Sequence, residues 1–209
     1  MDTSLIFFLG LVIGFVGVIP PGLLNMSAAK ISLTEGYNRG IMFSIGACII
    51  VGVQTTLAAV FARYLNNHPD VVSILKQVAL IIFLLIAIYF FFFANKKQKP
   101  KAEIKIQSRK SRFFQGMLMS ALNVFPIPFQ AYITLTLASI GWMYFDNYSI
   151  TSYVAGATMG SFVMLYVYIF FFDKIKSKTL TSQKNMNYLI GSITGIVAIV
   201  TLIGVLKEL

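Results

Sequence analysis

The sequence contains one cysteine and one histidine, and this scarcity limits the chemistry open to the chain. Cys48 has no second cysteine with which to form an intrachain disulfide, a CxxC redox pair or a thiolate metal site. His68 alone cannot build a histidine metal cluster, and catalysis that relies on a buried imidazole next to a nucleophile is also excluded. We therefore expect no metal, no cofactor and no catalytic residue.

Charged residues are also scarce, at 11% of the chain against about 25% in an ordinary soluble domain. Seventeen basic residues against seven acidic ones give a net charge of +10, which alone would suggest a nucleic-acid partner. However, the charges are separated by uncharged apolar stretches of about 20 residues, the length that crosses a bilayer core. The sequence therefore predicts an integral membrane protein without a nucleic-acid partner.

Six apolar segments account for most of the chain. Each is predicted to be an α-helix, because lipid offers no partners for unpaired backbone groups. All seven acidic residues lie outside these segments, so no intramembrane carboxylate pair is available for hydrolysis, and we expect no enzyme. The segments are residues 5–29, 41–62, 72–94, 113–138, 150–172 and 188–206.

The distribution of basic residues predicts the orientation in the membrane. Fourteen of the seventeen Lys and Arg residues lie in the first, third and fifth loops. Because basic loops stay in the cytoplasm, both termini are predicted to be external. We expect a multi-pass protein of the inner (plasma) membrane.

Three spans on each side of a central loop predict two domains of opposite orientation. Residues 1–94 form the first predicted repeat and residues 113–209 the second, as in the inverted repeats of many transporters. The linker 95–112 carries eight basic residues and one acid. It is either a site for anionic lipid or a regulatory partner, or a solvated connector that sets the topology.

Prolines mark corresponding positions in the two halves. Pro20 and Pro21 lie in the first span, and Pro126 and Pro128 lie in the fourth. Each proline removes a backbone donor and clashes with the preceding turn. We therefore predict that both spans are broken near the middle of the membrane.

Polar residues accompany both predicted breaks and make them a candidate binding site. Gly22 permits unusual backbone angles, and the amides of Asn25, Asn123 and Gln130 either bind a substrate or join neighbouring helices by hydrogen bonds. The predicted substrate-binding set is Pro20, Pro21, Gly22, Asn25, Asn123, Pro126, Pro128 and Gln130.

Further polar side chains lie within the spans. Gln54, Thr55 and Tyr132 either line a pathway or bond to the backbone and to other helices. Glycines four residues apart predict close helix contacts, within the chain or between protomers, so a homo-oligomer stays an open alternative. These glycine pairs are 10/14, 156/160 and 191/195.

The motifs resemble those of the LysE/RhtB family of amino-acid exporters. The matching residues are Pro21-Gly22-Leu23, Gly36-Tyr37-Asn38-Arg39-Gly40, Gly46, and the stretch from Phe114-Gln115-Gly116 to Asn123. The resemblance implies a six-span exporter. Leu23 stands where the family usually has a second proline, and Val124 follows Asn123 where the family has proline, so no particular substrate is transferred.

Two functions are compatible with the sequence. The first is a secondary transporter that exports amino acids or similar small metabolites by alternating access at a midplane site. The second is a membrane scaffold or accessory subunit in which the prolines only shape helices. A polar, water-reachable centre would favour transport, whereas a dry centre with every amide paired would favour the scaffold.

Overall fold

The computed structural model describes residues 2–20, 22–68 and 106–175, together with residues 70, 71, 81, 84, 85, 88 and 89. The chain divides into two units, Met1–Asn66 with Glu103–Ile175, and Asn67–Ala102 with Lys176–Leu209. In the second unit, residues 70, 71, 81, 84, 85 and 88 are helical. Pro21, the predicted span 188–206, and most of the span 72–94 and of the linker 95–112 lie outside the described residues.

Six α-helices make up the described part of the first unit, and no described residue is in a β-strand. The helices are α1 (Thr3–Gly17), α2 (Leu23–Glu35), α3 (Tyr37–Asn66), α4 (Arg109–Ala121), α5 (Pro126–Ser139) and α6 (Asn147–Ile175). The prediction of an all-helical protein is confirmed for these residues.

Two of these helices, α3 and α6, are long and apolar enough to cross a membrane. A third span is obtained if α4 and α5, which are bent by 62° at a short break, are counted together. At 15 residues, α1 is about 22 Å long, which is less than the thickness of a bilayer core. These lengths and compositions fit a multi-pass membrane protein.

Side-chain caps explain where three helices begin. The carboxylate of Asp2 accepts a hydrogen bond from the Ser4 N–H, and the carboxylate of Asp146 accepts one from the Ser149 N–H. The Ser108 hydroxyl accepts a hydrogen bond from the backbone N–H of Ser111 and caps α4. As a result, the last four residues of the predicted linker, 109–112, form the first turn of α4.

Glycines bring α1 and α6 into backbone contact. A Cβ atom added at Gly10 would collide with the carbonyl oxygen of Tyr153, and one at Gly14 with that of Ala157. The contact is mutual, because a Cβ at Gly156 would meet the carbonyl oxygen of Phe7. Any side chain at these positions would force the two helices apart.

The helices α3 and α4 make a matching contact. A Cβ at Gly46 would collide with the carbonyl oxygen of Phe113, and one at Gly116 with that of Phe43. The two contacts use residues at corresponding positions. Each contacting residue of α1 is separated from its counterpart in α4 by the same number of residues, and the contacting residues of α3 and α6 are likewise separated by one constant number. The pairs are Phe7/Phe113 and Gly10/Gly116, then Phe43/Tyr153 and Gly46/Gly156.

The short helices α2 and α5 differ in how closely they pack. The backbone of α2 lies close to α3, α6 and, over a small area, α4. A Cβ at Gly40 of α3 would lie only 2.8 Å from the Cβ of Ser32 in α2. Among the described helices, α5 has its backbone close to α3 alone, where Ala58 and Ala62 pack on Ala131.

Candidate functional site

The first helix is interrupted between Gly17 and Leu23. The chain leaves α1 in a tight turn, in which the N–H of Ile19 donates to the carbonyl of Val16. Gly22 then precedes α2 in an extended conformation. Pro20 and Gly22 are exposed, as are Ile19 and Leu23 on either side of them.

Asn25 holds this first break together. Its Nδ2 group donates to the carbonyl oxygens of Val18, at 2.9 Å, and Pro20, at 2.8 Å. Its Oδ1 atom accepts from the backbone N–H groups of Gly22, at 2.5 Å, and Met26, at 2.9 Å. The side chain is 2% exposed, and these four bonds use both donors and the acceptor oxygen of the amide.

The second interruption lies between Ala121 and Pro126. Leu122 and Asn123 close the end of α4 by donating to the carbonyls of Leu118 and Ser120. Pro126 occupies the first turn of α5, where its missing N–H costs no helical bond. Pro128 is exposed and Pro126 is half-buried.

Gln54, from the middle of α3, supports this second break. Its Nε2 group donates to the carbonyl oxygens of Ser120, at 3.1 Å, and Asn123, at 2.9 Å. Because a flipped amide would place its oxygen against these two carbonyls, the orientation of Gln54 is fixed. Its Oε1 atom is buried and has no hydrogen-bond partner among the described residues.

Each break receives hydrogen bonds from the long helix of the other half. The hydroxyl of Tyr168 in α6 donates to the carbonyl of Ile19, at 2.8 Å, and that of Ser161 donates to the carbonyl of Gly14, at 3.3 Å. Gln54 of α3 does the same for the second break. Carbonyls that the interruptions release are thus satisfied across the two halves, as burial away from water requires.

The two breaks are neighbours in space. A Cβ at Gly17, where α1 ends, would lie 3.1 Å from the ring of Phe129 in the first turns of α5. That ring stacks on Phe125, within the second break, with 6.1 Å between ring centroids. The structure therefore brings together the residues around both interruptions, although Pro21 lies outside the described residues.

The remaining predicted residues are two of the substrate-binding set, Asn123 and Gln130, and two of the pathway set, Thr55 and Tyr132. Asn123 is half-buried, and its side-chain amide has no hydrogen-bond partner in the described part of the chain. Gln130 is buried and accepts a hydrogen bond from the Tyr153 hydroxyl at 2.6 Å. Thr55 bonds to the Val51 carbonyl of its own helix, and Tyr132 is 65% exposed.

A buried ion pair lies at the far end of α2, beyond the predicted first span. Arg112 in the first turn of α4 contacts both carboxylate oxygens of Glu35, the last residue of α2, with one Nε–Oε2 distance of 2.9 Å. The hydrogen bond from Arg112 holds the pKa of Glu35 below its ordinary value of 4.5, although burial alone would raise it. Glu35 is therefore ionised at neutral pH.

Two further residues enclose this pair. Arg39, near the start of α3, donates to the carbonyl oxygens of Glu35, at 2.6 Å, and Gln107, at 2.7 Å. The Gln107 N–H in turn donates to the Glu35 carboxylate at 3.3 Å. The sequence had suggested only loop charges here, because the partners are far apart along the chain and no local pattern pairs them.

An apolar groove of about 500 Å³ runs between α3 and α6. Ile45, Ile49 and Met159 are among the residues that line it, and it exposes almost no polar surface. Its composition does not suit a charged or zwitterionic ligand. The two breaks, in contrast, carry polar groups that could meet such a ligand.

Comparison with known proteins agrees with this architecture. The family model of the LysE type translocators matches residues 15–204. No curated protein and no solved structure matches the chain. The match covers both breaks, the ion pair and all six predicted spans apart from the start of the first and the last two residues of the sixth.

Proposed function

Because the chain belongs to the LysE type translocator family, we propose that it exports amino acids or similar small zwitterionic metabolites through a site between the two breaks. The family consists of transporters of such compounds, not of enzymes. The observation that carries the proposal is the adjacency of the two interruptions, where Gly17 meets Phe129. Broken helices of this kind commonly form substrate sites in secondary transporters.

The two breaks offer groups of opposite polarity. The first turn of α2 begins directly after the first break, and its N–H groups and helix dipole favour a carboxylate. At the second break, Pro126 and Pro128 remove donors from α5, and the half-buried Asn123 side chain offers an amide oxygen. Behind it, the buried Gln54 Oε1 is an acceptor without a partner among the described residues. A zwitterion with its carboxylate at α2 and its ammonium at the second break matches both sets.

In this proposal the predicted site residues have different roles. Asn25 shapes the first break, because its hydrogen-bonding groups are already in use, and Gln130 is held by Tyr153. Asn123 contacts the substrate through its free amide. Pro20, Gly22 and Pro128 are exposed and line the site.

We further propose that the chain is an inverted repeat in which α1, α2 and α3 correspond to α4, α5 and α6. The matching glycine contacts of α1 with α6 and of α4 with α3 support this correspondence. So does the reciprocal support of each break by the long helix of the other half. Alternating access then exchanges the conformations of the two halves around the central site.

Replacing Asn123 by Leu tests substrate contact. We expect uptake into proteoliposomes, measured with a panel of amino acids, to fall about tenfold or more, the factor that 1.4 kcal/mol represents. Thermal stability should stay close to wild type, because the Asn123 amide has no bond to lose in the described part of the chain. Normal transport by this variant would rule out a binding role for Asn123.

Asn25→Leu is the matched control, with the same substitution at the other break. It removes four hydrogen bonds and should destabilise the protein by roughly 1–3 kcal/mol for each buried group left unpaired. If wild-type protein moves no member of the panel while remaining folded and inserted, the scaffold hypothesis replaces transport.

The proposed topology places loops one, three and five in the cytoplasm and both termini outside. Lys110, in the first turn of α4, and Tyr148, in the first turn of α6, are both exposed. Lys110→Cys and Tyr148→Cys, each made in a Cys48→Ala background, should react with an impermeant thiol reagent from opposite sides of the membrane. Labelling of both from one side would disprove the topology.

A further inference from the structure

The two short helices occupy unequal positions although the proposed repeat makes them equivalent. The backbone of α2 lies close to that of α3 and touches that of α4. Among the described helices, the backbone of α5 is not close to that of α6 or α1, its counterparts under the repeat, and α5 meets these two helices only through side chains such as Gln130 and Phe129. Inverted repeats hold such unequal conformations when a transporter is closed on one side and open on the other. The asymmetry indicates that the end of the first unit bounded by α2 is the closed one.

The ion pair lies at the tip of this closed helix. Glu35 and Arg112 are each 8% exposed and join α2 to α4, whose shared interface is the smallest among the contacting helix pairs of the described region. No ion pair joins α5 to a neighbouring helix among the described residues. A two-point contact between guanidinium and carboxylate is strong and geometrically specific.

Both ends of α2 have backbone suited to rotation. The break at Pro20 and Gly22 precedes it, and Gly36 follows with φ of 103°, where an added Cβ would meet nothing within 4 Å. The helix is therefore bounded by two joints. Between these joints, side-chain packing on its faces, the ion pair at its tip and the Arg39 and Gln107 hydrogen bonds to Glu35 hold it in place.

We infer that α2 is the gate at the predicted cytoplasmic end and that the Glu35–Arg112 pair is the latch that keeps this gate closed. The inference rests on the proposed transport function, since a gate needs a pathway. In the open state the backbone of α2 moves away from that of α3, to a distance like that of α5 from α6, and the pair separates. Arg112 and Glu35 thus control access to the site without touching the substrate bound there.

The lone cysteine provides a reporter that needs no substrate. Cys48 is 5% exposed, lines the groove between α3 and α6, and lies in the same apolar cluster as Ala28 and Ile31 of α2. When α2 moves away, Ala28 and Ile31 leave the cluster, and Cys48 becomes more accessible than it is from the groove alone. The rate at which N-ethylmaleimide modifies Cys48 in the full-length protein therefore measures how often the gate opens.

The test compares this rate between wild type and variants of the latch. Glu35→Gln should raise the labelling rate by about tenfold or more, because it leaves Arg112 buried without its charged partner. Arg112→Lys keeps the charge but loses the two-point contact, so it should raise the labelling rate by a smaller factor. This variant also tests the ion pair if Glu35→Gln does not fold. The exchanged pair, Glu35→Arg with Arg112→Glu, should return the rate towards wild type.

Two controls separate gating from general loss of stability. Gly10→Ala disturbs the contact of α1 with α6 and should lower the melting temperature without raising Cys48 labelling. Arg63→Gln removes an exposed contact with Asn147 at the other end of the helices and should change neither. Unchanged labelling in both latch variants, or an equal rise in Gly10→Ala, would overturn the gate. Because the labelling experiment uses no substrate, that outcome would not contradict the proposed transport function. Conversely, a failure to detect transport would not change the interpretation of the labelling rates.

Discussion

Gly14→Ala is expected to lower the free energy of unfolding by roughly 2–3 kcal/mol, because the new methyl group collides with the carbonyl oxygen of Ala157. The obstacle is backbone, which cannot rotate away as a side chain can. Alanine's better helix propensity, worth about 1 kcal/mol, offsets only part of this loss. Thermal or denaturant unfolding of the purified protein measures the change.

Gly52→Ala is the matched control in the interior of α3. A Cβ there would lie 3.1 Å from the hydroxyl of Thr158, the end of a side chain that can turn away. The same substitution should therefore be neutral or slightly stabilising. Equal losses at Gly14 and Gly52 would show that the α1–α6 contact does not depend on the absence of a side chain at Gly14.

The class and family of this protein could be predicted from local features of the sequence. Apolar length and the scarcity of charge indicate membrane helices without reference to tertiary structure. The glycine and proline motifs around Gly22 and Gly116 indicated the LysE type family, and the family match confirms this prediction. Such motifs can be recognised in the sequence because glycine and proline affect the backbone directly, whatever the tertiary structure around them.

Helix ends were less predictable. The first apolar segment was expected to end at residue 29, but α2 continues to Glu35, where Gly36 with its positive φ ends it. The last turns of α2 are polar, so hydropathy cannot show that they are helical. Similarly, the cap at Ser108 starts α4 inside a segment that reads as a charged linker.

The partners of the polar residues could not be predicted, because they come from distant parts of the chain. Gln54 bonds to the carbonyls of Ser120 and Asn123 in the other half, and Arg112 bonds to Glu35. The sequence left Gln54 equally suited to a pathway and to helix packing. Only the approach of α3 to the second break decides which atoms its amide meets.

Gln54→Leu is expected to disrupt the second break and to stop transport. Leucine has similar bulk but cannot donate to the Ser120 and Asn123 carbonyls. The Ser120 carbonyl keeps the Asn123 N–H as a partner, whereas the Asn123 carbonyl is left unpaired, at a cost of roughly 1–3 kcal/mol. Removal of the unpaired Oε1 atom offsets part of that loss. We expect a net destabilisation of about 1–2 kcal/mol, together with uptake at background level.

Thr56→Val, two residues along the same helix, is the control for this substitution. Its hydroxyl is exposed and bonds only to the Gly52 carbonyl of α3 itself, so its loss should change neither stability nor uptake. The decisive comparison is uptake by Gln54→Leu at a temperature where the variant is fully folded. Wild-type uptake there would mean that Gln54 only packs α3 against α4. Background uptake would mean that transport requires the carbonyls of the second break to be held in place from the other half.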